Sequence, residues 1–363
     1  MWGGWPIAAK CKADRMARVP LVLLLVFGLA STARAQDDGI PTLRVYTNLL
    51  QVPTLVLSNQ QKPLPPIPGR RFFVSIDGGN PFRATHVRVE GEDPIALEIL
   101  ADVEHLPENV SSKLREAIPA LAPVSVHATD GVTLYALNCQ LSRATVEKPT
   151  STENLQTVAT LLLDSSRMHG KSHNVESCRQ RWNLLDSIMA SIRGLQDEPA
   201  RRVLLVMTDG VDHGSKAAWD EVRVAAQMYG VAIFAMLPRS EMFLPVRGPR
   251  GTLGSEAVTA ATNMPSLCES TGGMILDADQ GSVLAQMRSF MTLVRGRYII
   301  EFPRPPAGPG THNLTVTIEK LAAFIRPAGV SVPVADPELA KDPNTILPDP
   351  ANAPEVGTKR PKQ

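Results

Sequence analysis

Between residues 42 and 95 short apolar runs alternate with turn residues. TLRVYTNLLQVPTLVL, RRFFVSIDGG and THVRVEG carry branched and aromatic side chains at strand spacing. KPLPPIPGR, between the first two, reads as a loop because proline brings no N–H to a ladder. No helical period appears there, so residues 36–94 predict an N-terminal β segment. At residue 95 the pattern changes. IALEILAD is a continuous apolar run of the kind buried on both faces of a parallel sheet. Val110, Leu114, Ile118 and Leu121 then recur at helical spacing. SVHAT and VTLYALN follow as two strands around Asp130-Gly131, a hairpin-type dipeptide.

The stretch LLLDSSRM, residues 161–168, looks like a strand running into an Asp-x-Ser loop. Its surroundings predict otherwise. Thr150-Ser151-Thr152-Glu153 fits a capping box with Thr150 as the cap. Leu155, Val158, Ala159 and Leu162 continue a helix from it, which makes LLLD a last helical turn and SSRMHGKSHN the loop beyond. A second helix runs through Trp182, Leu185, Met189, Ile192 and Leu195. RRVLLVMTDG is a buried strand ending at Asp209-Gly210. A helix on Trp219, Val222, Ala226 and Tyr229, the strand VAIFAML, a helix over 255–271, the short strand MILDA and a helix on Val283, Met287, Phe290 and Val294 complete the series. RYIIEF, HNLTVTIE and GVSVPV, within 297–335, return to β character. Residues 336–363 show no apolar period and predict a disordered tail.

Residues 95–296 thus alternate strands with helices except at one hairpin. That order predicts an α/β fold: a doubly wound, mainly parallel sheet with one antiparallel edge strand. The N- and C-terminal β segments are expected to pair as a small flanking β-module. Ligands of wound sheets sit at the carboxyl ends of the strands, and Asp102 and Asp209 stand there.

Composition adds an address. The chain has 363 residues, 44% apolar and 20% charged, enough for an ample core. Residues 1–35 differ from the rest. Lys10, Lys12, Arg15 and Arg18 precede VPLVLLLVFGLA and then Ala33-Arg34-Ala35, the layout of a secretory signal cleaved after Ala35, with Met16 a candidate start. The apolar run is short for a bilayer and no second long one follows, so a secreted or periplasmic chain without a transmembrane segment is expected. Signal removal takes five of 37 Lys/Arg and one of 36 Asp/Glu, leaving 32 against 35, a net −3. That balance offers no electrostatic ground for binding nucleic acid.

With these elements placed, the chain resembles the von Willebrand factor A (VWA) family, and within it the secreted bacterial branch called the VWFA-related Acidobacterial domain family. The resemblance spans about residues 42–335, flanks such as TLRVYTNLLQVP and FFVSIDGGNPFRATHVRVEGEDPI included. It implies a metal-ion-dependent adhesion site of three loops: Asp-x-Ser-x-Ser, a threonine, and an aspartate often in Thr-Asp-Gly. The third is present as Thr208-Asp209-Gly210. The first falls on Asp102-Val103-Glu104-His105-Leu106, with Glu104 and Leu106 in place of both serines. The second falls near Trp182, in RWNLLDSI, where there is no threonine. The interval from Asp102 to Asp209 has room for the intervening helices and hairpin. That from Asp164 does not, which again sets LLLDSSRM aside.

Mg²⁺ wants near-octahedral oxygens, and two hydroxyls are gone. Asp102, Glu104 and Asp209 could still gather a cation, Ca²⁺ or Mn²⁺ more readily than Mg²⁺; no cofactor is certain beyond those candidates. The expected arrangement is a degenerate site, with Asp209 bonded to amides of a tight turn and Asp102 and Glu104 solvated at the rim. The resemblance then implies a protein–protein interaction module, adhesive or scaffolding, with an unidentified protein partner. Its contacts would be the loops 102–107, 169–178 and 209–215, with His105, Trp182 and Asp212 among them, and the Gly/Pro-rich segment 241–254. The alternative is a cation-dependent ligand-binding domain using the three carboxylates.

A hydrolase built on Asp102, His105 and a nearby serine lacks a Gly-x-Ser-x-Gly elbow, and Ser111 or Ser112 stands where serine caps a helix; the chain is read as not an enzyme. His169 and His173 lie among Gly170, Ser172 and Asn174, a loop rather than a zinc-binding helix face. Asn109-Val-Ser and Asn313-Leu-Thr match a glycosylation pattern that is common by chance. Three cysteines survive signal removal, which in an oxidising compartment suggests one bridge and one thiol. Cys139 and Cys178 fall at the same end of the expected sheet. A bridge there would staple the insertion carrying LLLDSSRM, worth about 3–4 kcal/mol in the chain-entropy account. Cys268 reads as a small buried apolar residue.

Overall fold

A computed structural model describes residues 44–45, 49–171, 181–238, 255–278, 283–305, 310–332, 345–346 and 353–358. The expected signal, His173, Cys178 and the 241–254 segment lie outside them. From Val45 onward the chain forms one compact unit.

The β-type runs at either end meet. Strand β1 (Leu49–Leu57) is followed by β2 (Phe72–Ile76), β3 (Phe82–Arg83) and β4 (His86–Val89). After the wound domain come β11 (Tyr298–Pro303), β12 (Gly310–His312), β13 (Leu314–Ile318), β14 (Phe324–Pro327) and β15 (Val330–Val332). One sheet has the order β14-β1-β11-β4 and another β13-β2-β3. Alternation buries one face of each: Val52, Val56, Ile300 and Phe302 share a core with Phe72, Val74, Ile76 and Val316.

Between these segments the apolar runs build the six-stranded sheet, in the order β7-β6-β5-β8-β9-β10. Its strands are β5 (Ile95–Asp102), β6 (Gly131–Asn138), β7 (Gln140–Thr145), β8 (Arg201–Met207), β9 (Ala232–Leu237) and β10 (Ile275–Asp277). All neighbours are parallel except β6 and β7. The sheet is therefore doubly wound and mainly parallel with one antiparallel edge. Helices cover both faces: α1 (Glu108–Ala117), α2 (Thr152–Lys171) and α6 (Val283–Arg295) on one, α3 (Leu184–Leu195), α4 (Trp219–Met228) and α5 (Ser255–Ser270) on the other. Ile95, Leu97 and Ile99 feed the first core while Ala96 and Leu100 feed the second, the period of two that a strand buried on both faces requires.

Four expectations need correction. The hairpin is not around Asp130-Gly131; it joins β6 to β7 and turns at Cys139, whose φ is +45°. SVHAT is a turn, because Ser125 and Val126 donate back to Leu121 O, and Asp130 is spent on closing it. That carboxylate accepts the His127 and Ile95 N–H groups and an Arg295 guanidinium. At the start of α2 the cap is Ser151, whose hydroxyl accepts the Asn154 N–H at 3.1 Å; Thr150 instead donates to Asp130 O. The helix also runs on to Lys171, so Ser165 to Lys171 extend it where a loop was expected. Finally, residues 353–358 of the supposedly disordered tail lie against the β-module, with Val356 bridging to Ile76.

Candidate functional site

Parallel pairing brings the ends of β5 and β8 level, Ala101 opposite Met207. The next residues, Asp102 and Thr208, are both fully buried. The Thr208 hydroxyl lies 3.1 Å from Asp102 Oδ2 and 3.3 Å from Asp209 Oδ1, and accepts the Gly210 N–H at 3.1 Å. One side chain thus ties together the two acidic turns. Sequence reasoning passed over Thr208 except as the first letter of its motif.

The first loop folds on its own aspartate. Asp102 Oδ1 accepts the His105 N–H, and His105 Nδ1 lies 3.0 and 3.1 Å from the two carboxylate oxygens. The His105 pKa is raised, first by the hydrogen bond to Asp102 and then by the charges of Asp102, Asp209 and Glu104, with burial opposing. Asp102 is therefore not solvated, correcting the expectation. It is sealed between a histidine and a threonine, as a buried carboxylate must be. Asp209 accepts the Val211 N–H at 2.9 Å. His213 Nε2 stands 3.9 Å from its other oxygen, and the His213 ring stacks on His105 with centroids 4.1 Å apart.

Glu104 turns away from this centre. It accepts the Cys139 N–H at 3.0 Å and the Arg181 guanidinium at 2.6 Å. Leu106 is buried in the first core. Asp212 points inward, accepting amides of Leu185, Gly214 and Ser215. It caps α3 from the third loop, which locks that loop to the helix. Trp182 donates its backbone N–H to Cys139 O while the residue stays 38% exposed. The rim thus presents Trp182 and His213 outward.

Do these residues fit the divalent cation that the sequence resemblance implies? A hard cation needs several carboxylate or hydroxyl oxygens with free lone pairs converging on one point. Here Asp102 is taken up by His105 and Thr208, and Glu104 by Arg181 and an amide. Among the described residues no three His, Cys, Asp or Glu side chains gather so as to hold an ion. The residues present do not fit the cation: an imidazole lies across the carboxylate that would anchor it. Asp164 pairs with Arg115 of α1.

No protein-family model matches the chain, and no curated protein does. Among solved structures it is similar to an aerotolerance-related membrane protein from Bacteroides fragilis NCTC 9343, at 15% identity and TM-score 0.33, over 55% of this chain and 98% of that one. It is also similar to BatB from Bacteroides thetaiotaomicron, at 14% identity and TM-score 0.32, over the same shares. The pilus adhesin SpaC from Lactobacillus rhamnosus GG aligns over 74% of this chain and 49% of its own length, at 8% identity and TM-score 0.39. Likenesses this distant carry no weight for function. Among the described residues no helix is long and apolar enough to cross a membrane.

Proposed function

We propose that this is a VWA-like protein–protein interaction module of a secreted or periplasmic chain, and that its rim binds a protein partner without a metal. The observation that carries this reading is the His105–Asp102–Thr208–Asp209 chain of contacts. Where a cation-dependent site would leave carboxylates open for an ion, this rim supplies its own imidazole and hydroxyl. The exposed Trp182 and His213 beside it offer the aromatic, amphipathic contacts that anchor interfaces. No step of catalysis is assigned to it.

The test is capture from envelope and culture fractions on immobilised full-length chain, with and without EDTA. The expected result is one saturable partner, captured equally in both, and lost on the Trp182→Ala, His213→Ala double variant. The stability of that variant should stay within about 0.5 kcal/mol of wild type, as surface substitutions do. Capture that EDTA abolishes and Mn²⁺ restores would replace this reading with cation-dependent adhesion.

A further inference from the structure

At the far end of β2 the chain turns through Asp77-Gly78-Gly79-Asn80, and residues 353–358 run alongside. Ile76 and Val356 form a parallel bridge, and Ile76 O accepts both the Gly79 N–H at 2.8 Å and the Gly357 N–H at 3.0 Å. Asn80 Nδ2 donates to Glu355 Oε2 at 2.7 Å. Pro354 is buried and Val356 packs on the module's core, while Glu355 between them is exposed. That is the period of two of an added strand.

The fit excludes most sequences. A Cβ on Gly357 would lie 2.3 Å from Asp77 O and 2.4 Å from Gly79 N, and one on Gly79 would lie 2.7 Å from Glu355 O. Two backbones approach so closely that only glycine is admitted on either side. Ala353, Pro354 and Glu355 also form one wall of a groove of about 450 Å³ whose other walls include Phe82, Arg83, Thr85 and Pro303.

We propose that this end of the β-module is a strand-addition site for an extended peptide of the pattern Pro-acidic-apolar-Gly, occupied in cis by the chain's own residues 353–358. The Gly357 N–H bond to Ile76 O and the Asn80 bond to Glu355 supply affinity, and the alternate side chains supply selectivity, the division of labour of strand addition. The site is separate from the rim, and it stands or falls independently of the function proposed there. Because the occupant belongs to the same chain, its binding is intramolecular. A free peptide of the same pattern must therefore compete with it.

The test uses the full chain and a fluorescent peptide of residues 350–360, read by anisotropy. Gly357→Val in the chain evicts the tail and leaves the site open; an unchanged unfolding midpoint for the bulk of the chain is the folding control. The peptide should bind the Gly357→Val chain at least tenfold more tightly than wild type. A peptide carrying the same Gly357→Val change should show no saturable binding, and one carrying Glu355→Ala should bind severalfold more weakly. Equal binding to both chains, or by both the parent and the Gly357→Val peptides, overturns the proposal. A wild-type dimer abolished by Gly357→Val overturns the occupancy in cis, since tails would then be exchanged between copies.

Discussion

Strand β5 carries two buried carboxylates, Glu98 in its middle and Asp102 at its end, at 2% and 0% exposure. They are treated very differently. Asp102 lies at the carboxyl edge, where a loop can fold back and a neighbouring strand supplies a hydroxyl, so donors reach both oxygens. Glu98 projects into the second core beneath α3, where the Tyr135 hydroxyl stands 3.4 Å from one oxygen and the other has no partner among the described residues. Burial pushes the Glu98 pKa up to about 8, against the weaker opposing pull of Arg143 and Tyr135. Two positions along one strand thus differ in the supply of donors, and at Glu98, where donors are scarce, burial favours the neutral acid.

Removing Asp102 should have the largest effect. Asp102→Ala strips His105 and Thr208 of their shared acceptor and opens the joint between β5 and β8. A loss of about 3–5 kcal/mol is expected, since the Thr208 hydroxyl and the His105 donors lose their acceptor together at about 1–3 kcal/mol for each group left unsatisfied, measured as a fall in the urea midpoint. A loss below about 1 kcal/mol would show that the contacts at the rim do not hold it together.

Glu98 gives the next effect, with a pH signature. Its pKa is raised in the fold, so its contribution to stability is fully present below the ordinary value of 4.5 and is lost as pH rises toward about 8. Glu98→Gln removes that dependence. Relative to wild type, the variant should gain stability on the order of 3 kcal/mol between pH 4.5 and 8, by urea unfolding across that range. A constant difference would mean that Glu98 titrates normally.

The contrast also shows what could be read in advance. IALEILAD, RRVLLVM and VAIFAML announce themselves because strands buried on both faces need unbroken apolar runs, and three such runs between helical periods leave little choice of topology. The two acidic turns were legible from their places after such runs. The hairpin was not. Asp130-Gly131 has turn chemistry, but Asp130 spends it on amides and on Arg295, contacts far apart in sequence. QLSRAT, on the edge, has a mixed pattern that reads as loop. Phe82–Arg83 is too short to show a period. Nor could sequence spacing reveal that His105 would lie across Asp102 and stack on His213, since both contacts depend on the rotamers that loop closure imposes. Glu98 sits inside an apolar run, where a single acid is easily passed over.

Asp164 completes the series from the exposed side. In the sequence it looks the most like a metal ligand of all, an aspartate after three leucines and before two serines. In the fold, Leu162 and Leu163 are buried on α2 while the Asp164 side chain is 40% exposed beside an Arg115 that is 35% exposed. Water screens such a pair, and holding two side chains in place costs entropy, so its contribution is about 0–1 kcal/mol. Asp164→Asn should therefore lower stability by less than about 1 kcal/mol, several times less than Asp102→Ala. It should also leave calorimetric titrations with Mg²⁺, Ca²⁺ and Mn²⁺ indistinguishable from wild type. A larger loss, or a cation heat that vanishes with the substitution, would move the candidate site from the ends of β5 and β8 to the helix. The resemblance of LLLDSSRM to a metal loop would then be chemistry rather than coincidence of spelling.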